Sequence, residues 1–273
     1  EIIMISQWRK YQGVLVSAKA PHHEVLTQNI ISELDKNNAF LARWITNFDC
    51  KKKLDFWYLI LDKKMDISDY SSNTRNQISN GLKNFEIRRI SIDEMLDNSY
   101  IIYKTASLLY NTKNKIKSLE EFNVDLLPSF DYWGVYNNNS LIGFAQNRVF
   151  DDCCDYSTIK ILPMYAKKYP FYALFYTMNN YYLIDKKLKY VTDGTRSISH
   201  QTNIQNFLIN KFKFRKAYCY LHIMYQPFFG LLVSCLFPFR KFFSIFNVSL
   251  FRSINSILLQ EEISRNCKKE LSC

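Results

Sequence analysis

Residues 189–215, KYVTDGTRSISHQTNIQNFLINKFKFR, carry a β-prone run, a polar turn and an amphipathic helix in succession. Tyr190 and Val191 end the run, and Asp193-Gly194 breaks it, because Gly tolerates the positive φ that a tight exit from a strand needs. Behind the break come Thr195, Arg196, Ser197, Ser199, His200, Gln201 and Thr202. Polar clusters at the carboxyl end of a strand are where open α/β folds place their ligands. Ser199 or Thr202 can cap the helix, whose apolar face is Ile204, Phe207, Leu208 and Phe212 at helical spacing. Its amino end offers N–H groups to an anion beside Arg196. A capped loop in which the Asp and Arg pair with each other accounts for the same residues.

Strands and helices alternate outward from this stretch. Residues 8–18 favour a strand around Gly13, 25–34 an amphipathic helix, and 40–48 and 55–61 strands. His22 and His23 are adjacent and share no helix face, which argues against a metal pair there. Ser71 or Ser72 can cap a helix running to about Lys83. Arg75 lies near its front, where a positive charge opposes the helix dipole unless an anion compensates, either a substrate or a nearby carboxylate such as Asp69. Next come a strand at 85–90, a helix at 92–110, and strands at 132–136 and 141–150 joined by three asparagines that suit a hairpin. A strand at 156–162, a helix at 170–187 with Pro170 in its first turn, a strand at 189–193, a helix at 202–213 and a strand at 217–225 complete the order. The pattern predicts an α/β (α+β) class with a mixed, mostly antiparallel sheet flanked by helices.

The chain has 273 residues, 48% of them hydrophobic and 16% aromatic, enough for a sizeable core. The net charge of +11 predicts an anionic partner. The lysines are scattered or in short runs, without the long basic block of a nucleic-acid arm. The seven cysteines are odd in number and irregularly placed, with no CxxC pair and no metal-ligand spacing. They read as reduced thiols of a cytoplasmic protein, and no metal is expected. Residues 2–5 are too short for the apolar core of a signal peptide.

The succession of elements over 85–225 resembles the GNAT acyltransferase fold. Residues 203–214, ending in KFKF, look like the GNAT segment in which an Asn opens a helix that closes on Gly-Phe, with Lys213 where that Gly would stand. RNQISNGLK (75–83) together with 208–214 is similar to FemAB-type proteins, tandem GNAT-like domains that transfer aminoacyl or acyl groups during envelope assembly. The resemblance implies a degenerate GNAT-like first half at 1–84, an acyltransferase domain at 85–225, and an acyl-CoA or aminoacyl-tRNA donor. It places Asp193 at the splayed centre of the sheet. Asp193 or His200 is then a general base, and Tyr156 or Tyr218 a proton donor to the leaving group. Arg196 and Arg148 would hold a carboxylate or phosphate, with Arg75, Thr195 and Gln201 completing the substrate side. In GNAT proteins that use acetyl-CoA, a Gly-rich loop presents N–H groups to the pyrophosphate. The matching residues here, PMYAKKYPF (163–171), contain no Gly, leaving Lys167 and Lys168 as point charges and Pro170 without a donor.

Beyond Tyr225 the composition shifts. Residues 227–239, PFFGLLVSCLFPF, are apolar throughout, and the apolar pattern continues over 242–259. The uncharged run is too short to span a bilayer, and Arg240, Lys241 and Arg252 sit among aromatics as in an interfacial segment drawn to anionic lipid. A helical pair covering the sheet of its own subunit, or of a homodimer partner, is the other reading. The resulting expectation is a cytoplasmic protein peripheral on the inner face of the membrane, acting on an envelope glycan, a lipid-linked saccharide precursor or another small-molecule substrate, with no nucleic-acid partner expected except tRNA as donor. A non-catalytic scaffold of the same fold is the alternative.

Overall fold

The computed structural model describes residues 7–11, 13–108, 115–198, 203–245 and 249–271. The first elements are strands β1 (Trp8–Tyr11) and β2 (Val14–Ser17), helix α1 (Ile30–Lys36), and strands β3 (Leu41–Cys50) and β4 (Trp57–Leu61). Helix α2 (Ser72–Asn84), strand β5 (Glu86–Ile90) and helices α3 (Ile92–Ser107) and α4 (Leu119–Val124) follow. Then come β6 (Phe130–Asn137), β7 (Ser140–Val149), β8 (Cys153–Ile161), α5 (Pro170–Asn180), β9 (Tyr190–Thr195), α6 (Asn203–Phe212) and β10 (Arg215–Tyr225). Helices α7 (Pro227–Leu236), α8 (Arg240–Ile245) and α9 (Ser249–Leu271) come last. These residues gather into two compact units, the first from within 1–58, 195–201 and 216–273, the second from within 59–194 and 202–215.

In the first unit the strand order is β1-β2-β3-β10, with β2 parallel to β3 and the other neighbours antiparallel. The single strand expected over 8–18 is a hairpin, because Gly13 takes φ +80 and turns the chain. Helix α1 starts at Ile30, later than its apolar periodicity suggests, since Asn29 sits in the left-handed region with φ 63. Ile30 and Leu34 pack with Trp8, Leu15 and Ala42 into one core. A second core joins Leu41, Phe56, Cys219 and Leu221 to Ile263 and Cys267 of α9. Burying each such aliphatic or aromatic side chain contributes about 1.5–3 kcal/mol.

In the second unit β5, β6, β7 and β8 form an antiparallel meander, and β9 then pairs with β8 in parallel. The β6–β7 loop is a two-residue turn in which Asn138 and Asn139 both have positive φ, 49 and 64, the geometry that asparagine tolerates and that matches strand twist. Ile90, Met95, Ile102, Phe122, Tyr132 and Phe144 fill a core built with α3 and α4. Helix α4 lacks a strong periodic signal, yet Ser118 and Glu121 make a reciprocal capping box at its start. Helices α2, α5 and α6 contribute Ile78, Phe175, Met178, Leu208 and Phe212, all buried, with the Tyr70 ring 5.7 Å from that of Phe212. Helix α2 begins at the N-cap Ser71, whose hydroxyl accepts from the Thr74 N–H. It meets the start of α5 at Gly81, where a methyl group would lie 2.5 Å from the Tyr169 carbonyl oxygen.

The helix expected over 170–187 changes pitch partway. After Asn180, residues Tyr181–Asp185 form a π-turn that carries Tyr182 into the interior. Single π-turns inside helices recur at functional sites.

Candidate active site at the fork of two parallel strands

The ladder between β8 and β9 is short. Only Cys153, Cys154 and Asp155 pair with Tyr190, Val191 and Thr192, although both strands continue beyond those residues. A row of cross-strand partners ends at this fork, running from Phe130 to Arg148, Asp155 and Thr192. The Thr192 hydroxyl donates to the Leu59 carbonyl at 2.9 Å and accepts from the Gly194 N–H at 3.0 Å, which fixes the way the strand leaves the ladder. Gly194 has φ +80, and the Asp155 carboxylate lies 4.0 Å from where its side chain would begin. Gly194 takes the positive φ that the sequence suggested, but the strand does not stop at Asp193-Gly194: β9 runs on to Thr195.

Asp193 follows Thr192, the last residue of β9 that pairs with β8. Burial pushes its carboxyl up to about 7, the negative charge of Asp155 pushes in the same direction, and a hydrogen bond with Gln205 of α6 opposes both. A carboxyl group poised near neutrality both accepts and returns a proton under physiological conditions.

Beneath α5 runs a buried polar band. Asn147 pairs in register with Asp131 on one side and Tyr156 on the other. The Tyr182 hydroxyl donates to Asp131 Oδ2 at 3.1 Å and accepts from Trp133 Nε1 at 2.9 Å and Asn147 Nδ2 at 3.3 Å. Arg89 caps the band through an ion pair with Asp131. The Tyr156 hydroxyl donates to Asn179 Oδ1 at 2.8 Å. Among the described residues, Asn147 Oδ1 has no hydrogen-bond partner. Networks of this kind rigidify the elements they join. Here they lock α5 and its π-turn onto the strands that lead to the fork.

The sequence-predicted residues fall in different places. Tyr156 lies next to the fork on β8, but it is buried with its proton committed to Asn179, and burial holds its phenol well above the ordinary range. Arg148 stands in register opposite Asp155, with its guanidinium 5.4 Å from the centre of the Phe130 ring. Arg75 is occupied within its own helix entry, donating to the Tyr70 carbonyl at 2.8 Å, the Ser68 carbonyl at 3.4 Å and the Ser72 hydroxyl at 3.1 Å. Main-chain carbonyls supply the compensation that its position near the helix front called for. Thr195 and Arg196 belong to the first unit. Arg196 donates from its guanidinium to the Asp55 carbonyl at 2.6 Å and from its backbone N–H to the Trp57 carbonyl at 2.9 Å. His200 and Gln201 lie outside the described residues.

Lys167 and Lys168 are exposed in a 3-10 turn, Pro163–Lys168, between β8 and α5. The turn does not fit a pyrophosphate cradle. The N–H groups of Tyr165 and Tyr169 bond inside it, to Leu162 and Ala166, and those of Tyr172 and Ala173 bond to the Tyr169 carbonyl. Pro170 has no N–H to offer. Packing of Gly81 against Tyr169 closes the same end of α5 further.

Asp155, Asn147, Asn179, Tyr182 and Asp131 were not singled out by sequence. For Asp155 a signal existed, since it follows the Cys153-Cys154 pair at the start of a strand whose parallel neighbour carries Asp193.

Structural comparison places this arrangement. FemX aligns with a TM-score of 0.57 at 10% identity, covering 82% of this chain and 85% of that one. The fold is GNAT-like, of the FemAB kind. L-PGS from Bacillus licheniformis aligns with a TM-score of 0.53 at 12% identity over 94% of this chain and 85% of that one. The C-terminal domain of a protein assigned as a lysylphosphatidylglycerol synthetase, from Agrobacterium fabrum, aligns with a TM-score of 0.52 at 11% identity over 80% and 79%. No protein-family model matches the sequence, and no curated protein does. Among the described residues no helix is long and apolar enough to cross a membrane.

Proposed function

We propose that this GNAT-like chain is an acyltransferase that moves an aminoacyl or acyl group onto an envelope component, a glycan or lipid-linked saccharide precursor met at the inner face of the membrane. The observation that carries the reading is Asp193, a half-buried carboxyl tuned to about 7 where β8 and β9 part. Its ionised form accepts the proton of an acceptor amine or hydroxyl as that atom attacks the donor's ester carbonyl. A new bond to the carbonyl carbon forms, the ester bond to the carrier breaks, and the proton on Asp193 passes to the departing carrier oxygen. Asp155 keeps enough negative charge nearby for Asp193 to hold a proton at neutral pH, and Arg148, opposite Asp155, supplies a cation for an anionic part of the substrate. The bonded N–H groups of Tyr165 and Tyr169, together with Pro170 lacking one, favour aminoacyl-tRNA over acyl-CoA as donor.

The test is thermal stability of the purified chain against acyl-CoAs, aminoacyl-tRNAs and nucleotide sugars, followed by transfer from labelled donor to membrane extract. A ligand at a hundred times its dissociation constant raises stability by about 2.7 kcal/mol. A shift with aminoacyl-tRNA and transfer that is lost in Asp193→Asn support the reading. No shift and no transfer with any donor assign the fold to a non-catalytic scaffold.

A further inference from the structure

Helix α7 is turned inside out relative to an ordinary surface helix. Phe228 is 83% exposed, Leu231 64% and Leu232 45%, while Val233 on the opposite side is buried. Residues 228, 231, 232 and 235 recur at i, i+3, i+4 and i+7, so they form one continuous stripe. The stripe extends through Phe239 in the 3-10 turn 237–239 and Phe242 of α8, 61% and 55% exposed. Exposed apolar patches of this extent mark interaction surfaces.

The patch is held rather than loose. Phe229 packs its ring 5.6 Å from Phe40 and 5.9 Å from Tyr225. Arg265 of α9 sits 3.9 Å from the Phe237 ring centre, and Arg240 donates to Glu262 at 2.9 Å. These contacts fix the inner side of α7 and the turn, leaving the phenylalanines and leucines outward.

Charge selects the partner. No Asp or Glu occurs from Pro227 to Gln260, whereas Arg240, Lys241 and Arg252 do, in a chain of net charge +11; Arg240 is paired with Glu262, so exposed Lys241 beside Phe242 and the net charge carry the attraction. An apolar, aromatic stripe in an acid-free basic segment, on a helix of ten residues, has the chemistry of an in-plane anchor in the interface of an anionic bilayer. We infer that the exposed stripe of α7, extended by Phe239 and Phe242, is the surface by which this chain docks on anionic membranes. Docking is read without turnover, so it stands or falls independently of the transfer reaction at the fork.

The experiment is co-sedimentation of the full chain with phosphatidylcholine vesicles that do or do not contain phosphatidylglycerol, alongside thermal melts and light scattering. The expected result is binding to the anionic vesicles, weakened by salt, with soluble glycerophosphate failing to compete. Phe228→Asp with Leu231→Asp is expected to weaken binding at least roughly tenfold with an unchanged melt, because both positions are exposed. The milder Phe228→Ser with Leu231→Ser, expected to act in the same direction, replaces it if the charged variant fails to fold. Wild-type protein that ignores anionic vesicles overturns the inference, as does a folded variant that binds like wild type. A wild-type dimer that these variants turn into monomer, without vesicle binding, assigns the face to self-association instead.

Discussion

Asp193 and the stripe of α7 are opposite inversions of the usual distribution of side chains. At the fork a carboxyl group is half-buried and partly stripped of water, and on α7 phenylalanines and leucines are placed where water is plentiful. The informative residues of a fold are these buried polar and exposed apolar groups, because neither placement lowers the free energy of the isolated chain. The two differ in what they cost. Desolvation of Asp193 acts on folding and depends on pH, whereas leaving Phe228 and Leu231 exposed is nearly neutral for folding, since they are also exposed in the unfolded chain.

The largest effect that tests this contrast is on turnover. Asp193→Asn keeps the shape and removes the base, and transfer is expected to fall by about 10²–10⁴-fold. In the wild type the rate should rise as pH passes through about 7, the range in which Asp193 ionises. A pH-independent rate would detach Asp193 from the chemistry.

Stability should move the other way. The folded carboxyl titrates near 7 and the unfolded one near 3.8. Below 3.8 both states are protonated and the group is neutral for folding. Between these values the folded protein holds a proton that the unfolded chain releases, so stability falls as pH rises, and above 7 the penalty is complete. At roughly 1.4 kcal/mol for each pH unit of separation, the full penalty is about 4 kcal/mol. Asp193→Asn is expected to recover much of it at pH 8 and to flatten the slope in denaturant titrations between pH 4 and 7.

Leucines sharpen the other half of the comparison. Leu258 of α9 is 1% exposed and Leu231 of α7 is 64% exposed. Leu258→Ala should cost about 2–5 kcal/mol in chemical denaturation, and Leu231→Ala at most about 0.5 kcal/mol. Equal losses would mean that α7 packs against something in the folded chain. A smaller change is expected from Asp155→Asn, which removes the charge that helps to hold the Asp193 proton. The pH–rate profile should shift to lower pH, and an unmoved midpoint would leave burial as the whole cause.

Much of the sheet was legible because its signals are local. Asn138 and Asn139 announced a tight hairpin and Ser71 the start of α2, each through backbone preferences that need no distant partner, while Gly194 announced a positive φ but not the end of β9, which runs on to Thr195. The polar band under α5 was not legible. Its bonds join residues 23 to 51 positions apart, Tyr156 with Asn179, Trp133 with Tyr182 and Asp131 with Tyr182, and no local rule pairs an Asn in one strand with a Tyr in a π-turn. Arg75 shows the same division: its position near a helix front predicted an anionic neighbour, and the fold supplied backbone carbonyls.

By itself the sequence determined the alternation of elements, the turn chemistry and the apolar character of the carboxyl-terminal helices, since each depends on side-chain type and short spacing. Tertiary structure alone decided that β8 and β9 part after three paired positions, that Asp155 lies close enough to raise the Asp193 pKa, and that Leu258, Ile263 and Cys267 of α9 are buried while Phe228 and Leu231 of α7 face outward. Hydropathy measures what a side chain gains by leaving water. It carries no information about which neighbours are there to receive it.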